Sequence, residues 1–182
     1  SVIAGGQVTP ADPRQNIEAL LSANDILGGN FLSRINMDLR ETKGWSYGVR
    51  GSAQLSEKAV PYVISAPVQA DRTGDSIAAL NSQNGGFLGA KGVTGDELGR
   101  TIANRDNALP GQYETSGAVL SAMMSNDLFG RPTNYQESLA AKYRGYTAAS
   151  LDQAIRGAVD PKGFVWVVVG DAAKVKPQLD KL

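Results

Sequence analysis

The chain has 182 residues, with 18 basic and 18 acidic side chains and neither histidine nor cysteine. Without Cys there is no disulfide framework, thiolate nucleophile, Fe–S cluster or Cys-ligated zinc; without His there is no Ser-His-Asp triad and no His-ligated zinc. Balanced charge gives no long-range field toward nucleic acid or an anionic membrane, and the longest apolar run, Phe164 to Val169, is far short of the ~20 residues that cross a bilayer.

The length suits one domain, residues 1–182, with a core of its own. Ser1 to Thr9 reads as a strand that Pro10 and Pro13 stop. Gln15 to Leu27 reads as a helix, because Ile17, Leu20, Leu21, Asn24 and Leu27 recur at steps of three and four, and Gly28-Gly29 ends it. A second short helix stacks Phe31, Ile35 and Leu39 and runs out near Gly44. Trp45–Leu55 and Val60–Gln69 form a hairpin around Ser56-Glu57-Lys58, and Pro61 and Pro67 predict that its second strand is an edge.

From residue 71 the pattern turns helical. A helix from Arg72 to Asn84 is expected to end at Gly85-Gly86. Thr94-Gly95-Asp96-Glu97 is a capping box, followed by an apolar stripe at Leu98, Ile102 and Leu109 and a break at Pro110-Gly111. Gln112–Phe129 is a helix expected to bury Leu120, Met123, Met124 and Leu128; Thr133–Gln136 repeats the capping pattern after Gly130 and Pro132. Thr147–Val159 is a further helix, with Leu151, Ile155 and Val159 in register. The uninterrupted apolar segment 163–170 predicts a central strand buried on both faces. The sum is an α+β domain, a mostly antiparallel sheet with helices packed on it.

Few motifs carry chemistry. GGFLGAKG at residues 85–92 lacks the Gly-Lys-Ser/Thr of a phosphate loop and reads as a glycine-rich helix exit. No segment has the spacing of a calcium loop. Asp38 and Glu41, at i and i+3, read as a solvated helix face. Arg40, at the end of a short helix, and Tyr47, seven residues on and past Gly44, are expected to project from the same end of the layer. A forked, permanently charged guanidinium and a directional phenol are donors suited to a carboxylate, a peptide carbonyl or a developing oxyanion. The bland alternative is that the arginine satisfies helix-end carbonyls and the tyrosine packs.

The string Asn24-Asp25-Ile26-Leu27-Gly28-Gly29, Ser33-Arg34-Ile35, Leu39-Arg40-Glu41, Gly44 and Tyr47-Gly48-Val49 resembles the C-terminal, non-zinc domain of insulinase/pitrilysin-type zinc metallopeptidases. The likeness extends over most of the chain, through Gly92-Val93-Thr94, Glu97-Leu98 and Leu109-Pro110 to a closing Val169-Gly170-Asp171. It implies the clamshell-half fold of the mitochondrial processing peptidases. In such enzymes an inverted H-x-x-E-H motif holds zinc on a homologous domain or subunit, and the two halves close over a peptide. The resemblance further implies that Arg40 and Tyr47 reach across the chamber, Tyr47 toward the scissile carbonyl and Arg40 toward the adjacent substrate backbone.

With no histidine the chain departs from the complete enzyme. The expectation is therefore an accessory half, inactive alone, with no metal or cofactor in this chain, a zinc-bearing homologous partner, a peptide substrate, and neither nucleic acid nor membrane. It is expected to be a piece of a longer chain that lacks the strand preceding Ser1, and to work in the periplasm. The runner-up is a non-catalytic scaffold of the same fold, like the core subunits of respiratory bc complexes; a small-ligand module has no positive feature behind it.

Overall fold

The computed structural model describes residues 1–182. Four antiparallel strands form one sheet: β1 Val2–Thr9, β2 Arg50–Ala53, β3 Val60–Pro67 and β4 Val165–Val169, in the order β2-β3-β1-β4. Eight helices complete the domain: α1 Ile17–Asn24, α2 Arg34–Asn36, α3 Thr73–Leu88, α4 Gly95–Gln112, α5 Ser116–Leu128, α6 Leu139–Arg144, α7 Ala148–Ala158 and α8 Ala172–Leu179. Two of them continue into wide π-type turns, α1 through Asp25–Gly29 and α2 through Met37–Thr42.

Alternation along β1 and β3 sends Ile3, Val60, Tyr62 and Ile64 inward. There they meet α1, α2, α3 and α7 through Leu20, Ile35, Leu80 and Leu151. Burying such side chains contributes about 1.5–3 kcal/mol each, so this one layer of contact carries the fold. The capping box at Thr94 forms as its spacing predicts: Thr94 Oγ1 accepts from Glu97 N at 3.3 Å, and Glu97 Oε2 accepts from Thr94 N at 2.9 Å.

Several expectations are corrected. β3 is interior rather than an edge, because its prolines sit outside the stretch Tyr62–Ser65 that β2 pairs. Pro61 and Pro67 have no N–H to offer the β2 side. The ladder stops between them, and β2 is only four residues long rather than running from Trp45 to Leu55. Beyond Pro67 the strands touch once more, at the bridge Ser46–Val68, so Tyr47, Gly48 and Val49 face only Ala66 and Pro67. That extra residue is a bulge, the device that re-aims a side chain off a sheet.

β4 is an edge strand and not the centre. Trp166 and Val168 turn inward, and Trp166 lies so close over Gly5 that a Cβ there would meet the ring at 2.3 Å. Val165, Val167 and Val169 face solvent, with Val2 and Val8 on the same uncovered face. An all-apolar run has no period to tell one buried face from two. α3 continues through Gly85-Gly86 to Leu88, α4 passes Pro110 by two residues, and α5 starts at Ser116. α5 buries only Asn126 and exposes Leu120, Met123, Met124 and Leu128, so its apolar stripe meets no core. Phe31 precedes α2 and is exposed, unlike Ile35 and Leu39.

A buried polar network, invisible in the periodicity, ties α1 to the later helices. Glu18 accepts from Tyr135 Oη at 3.2 Å and Tyr143 Oη at 3.3 Å, and Arg105 lies 3.6 Å from it while donating to Asp25 at 2.7 Å. Burial, reinforced by the Glu18 charge, pushes the Tyr143 phenol up to about 12. Burial likewise pushes the Asp25 carboxyl above its ordinary range, although Arg105 stands beside it.

Candidate functional site

Arg40 and Tyr47 line a single open cleft of about 660 Å³ at one end of the sheet, together with Ser1, Trp45, Pro67 and Gln69. Local sequence builds it in three steps. The wide turn Met37–Thr42 ends α2 and carries Arg40 outward while Leu39 stays in the core. Gly44, at φ 65°, then reverses the chain in a left-handed conformation that only glycine adopts without cost. Trp45 N donates back to Leu39 O at 2.9 Å and closes the turn.

The segment after the turn is pinned to the end of β3. Ser46 Oγ donates to Pro67 O at 2.5 Å and accepts from Gly48 N at 3.1 Å, so the carbonyl of a residue that has no N–H is held by a side chain. Gln69 Nε2 donates to Gly44 O at 3.1 Å, and Gln69 N to Trp45 O at 3.0 Å. From beneath, buried Asn36 donates to Phe31 O at 2.6 Å and accepts from Val49 N at 2.9 Å, so one side chain ties together both flanks of the site.

Between these pins Tyr47 is 97% exposed, and its hydroxyl has no hydrogen-bond partner within the chain. Tyr47 lies in the bulged stretch ahead of β2 rather than in a strand, and its phenol is open to solvent. Arg40 is half-buried: its Nε lies 3.1 Å from Glu41 Oε1, and its guanidinium sits 4.4 Å over the Phe31 ring. Trp45 adds an aromatic wall, with Lys43 and Arg72 near its face. The lining of the cleft therefore combines one guanidinium, a phenol and an indole with the Glu41 carboxylate.

The remaining residues of the motif have structural work. Arg34 forks onto Glu97 through Nε at 2.7 Å and Nη2 at 2.6 Å, and its other donors reach the carbonyls of Lys91 and Gly92. Burial opposes the Glu97 charge, yet the bonds from Arg34 and Thr94 outweigh it and hold the carboxyl down at about 2. Asn24 bridges Gly51 O and Tyr62 Oη in the core. Asp38 pairs with Lys43. The glycine-rich segment 85–92 is the end of α3 and the turn that receives Arg34. No three His, Cys, Asp or Glu side chains come together in a way that could hold a metal ion. Asn36 and Ser46 carry no periodic signal, and the step of four that picks out Phe31 assigns it to the core, whereas its ring lies under the Arg40 guanidinium.

A family model described as the peptidase M16 inactive domain matches residues 2–105. Among solved structures, the chain superposes on a peptidase M16 inactive domain from Pseudomonas fluorescens with a TM-score of 0.79 and 21% identity, over 91% of this chain and 39% of that one. It also superposes on a protein from Bordetella pertussis Tohama I, described as a zinc protease, with a TM-score of 0.75 and 17% identity, over 93% and 94% of the two chains. A chain of Complex III2 from Candida albicans shares the fold at a TM-score of 0.70 and 13% identity, over 91% of this chain and 42% of that one. The chain thus spans about two fifths of the Pseudomonas relative. No protein with a curated description matches the sequence.

Proposed function

Because the chain belongs to the peptidase M16 inactive-domain family, we propose that it is the accessory half of a zinc peptidase, closing over a peptide opposite a homologous half that bears the metal. The observation that carries this reading is the pairing of an unpartnered, fully presented Tyr47 phenol with Arg40 in one open cleft. Zinc bound on the partner half would supply the activation of water and the polarisation of the scissile carbonyl. Tyr47 Oη donates to that carbonyl oxygen as it gains negative charge in the tetrahedral intermediate. Arg40 forks onto a neighbouring backbone carbonyl and fixes the register of the peptide.

The test supplies the zinc-bearing half and measures cleavage of an internally quenched peptide. Tyr47→Phe removes one hydrogen bond to the oxyanion and is expected to lower kcat about 100-fold with little change in KM. Arg40→Ala is expected to act mainly on KM. Wild-type rates for both variants would overturn the reading. They would favour the scaffold alternative, whose support is the shared fold of the Candida albicans Complex III2 chain.

A further inference from the structure

Phe31 is a large apolar side chain, 55% exposed, that packs neither in the core nor against it. Its one specific contact is its ring face, 4.4 Å beneath the Arg40 guanidinium. Its backbone is nevertheless fixed, because buried Asn36 donates to Phe31 O. We propose that Phe31 is a positioning residue for Arg40: the ring holds the guanidinium by its face, so that the in-plane donors stay aimed at the peptide. This deepens the peptidase reading and rests on it for its consequence in catalysis.

The geometry of a guanidinium supports the division of labour. Its π face can lie on an aromatic ring while its N–H donors point outward in the plane. Here Nε is turned to Glu41, and neither Nη donates to any group in the chain, which leaves both for a ligand. A free arginine side chain would lose rotamer entropy on binding substrate. One already stacked has lost much of it beforehand, so the gain is expected in substrate affinity rather than in the chemical step.

Phe31→Leu keeps the apolar volume and removes the ring; Phe31→Tyr keeps the ring. With the zinc-bearing half present, Phe31→Leu is expected to raise KM about two- to fivefold with kcat nearly unchanged, the range of an exposed cation–π contact, and Phe31→Tyr to restore it. In an Arg40→Ala background the Phe31→Leu effect should vanish. A wild-type KM for Phe31→Leu, or an undiminished effect without Arg40, would overturn the proposal. A second measurement stands apart from peptide cleavage. The ¹⁵N heteronuclear NOE of Arg40 Nε–H in the chain itself should fall in Phe31→Leu and not in Phe31→Tyr; equal values would also overturn the positioning role. Should Arg40→Ala cleave at wild-type rate, the peptidase reading fails, and the NOE still decides whether the ring holds the arginine.

Discussion

Arg34 and Arg40 stand six residues apart in the same motif and have opposite fates. Arg34 spends all three of its nitrogens on the chain, binding α4 and the turn before it to α2, whereas Arg40 keeps two of its three nitrogens free. Arg34→Ala should therefore cost about 2 kcal/mol, since it strips charged hydrogen bonds from Glu97, and lower the melting temperature by about 4–8 °C. Its partner makes the link sensitive to acid. The Glu97 carboxyl, ordinarily near 4.5, is held at about 2 in the folded chain. A depressed folded pKa stabilises the protein above the unfolded value, and that stability is lost as pH falls from about 4.5 toward 2. Glu97→Gln should thus show a shallower loss of stability over that window than the wild-type chain, as read by urea titrations at successive pH values. Sequence spacing could nominate both arginines. It could not tell them apart, because the acceptors of Arg34 lie 57–63 residues away.

At the scale of elements, what periodicity could read was the inward face of α1, α2 and α7 and the capping box of α4, all of them local patterns. What it misread depended on neighbours that local pattern does not encode. β4 is as apolar as a central strand and lies at an edge, and α5 carries a core-like stripe that packs on nothing. Phe31 sat on a helical step of four but lies before the helix, where it serves Arg40 instead of the core. The site itself depends on one turn. Gly44→Ala forces a Cβ into the left-handed region at a cost of about 1–2 kcal/mol. Because no neighbouring atom lies within 4 Å of that Cβ, the penalty should be backbone strain alone. Thermal melting should report it, and Gly44→Asn should recover part of the loss.

For the molecule as a whole, the sheet is covered on one face only. Val2, Val8, Val165, Val167 and Val169 form an uncharged strip on the other face, in a chain whose net charge is zero. Such an edge and face invite self-association at moderate concentration. Val167→Lys should reduce association measured by static light scattering and leave the melting temperature within about 2 °C, because the side chain removed is already in water. An unchanged scattering profile would show that the strip does not drive association. The fold class was legible because sheet and helix periods survive averaging over many residues. The open face was not, because being covered is a property of the surroundings.

The prolines of β3 have an effect one strand away from where they stand. An ordinary residue at position 67 would present an N–H to the neighbouring chain, and residues 47–49 would have reason to continue the ladder. A regular β-strand there would point Tyr47 by alternation alone and confine it against its neighbours. The missing hydrogen of Pro67 leaves that stretch unclaimed; Ser46 fastens its start and Asn36 its end. The phenol is presented to solvent on a short, tethered arch. Pro67→Val would return the absent donor, and with it the choice between zipping the arch onto the sheet and leaving the tyrosine free.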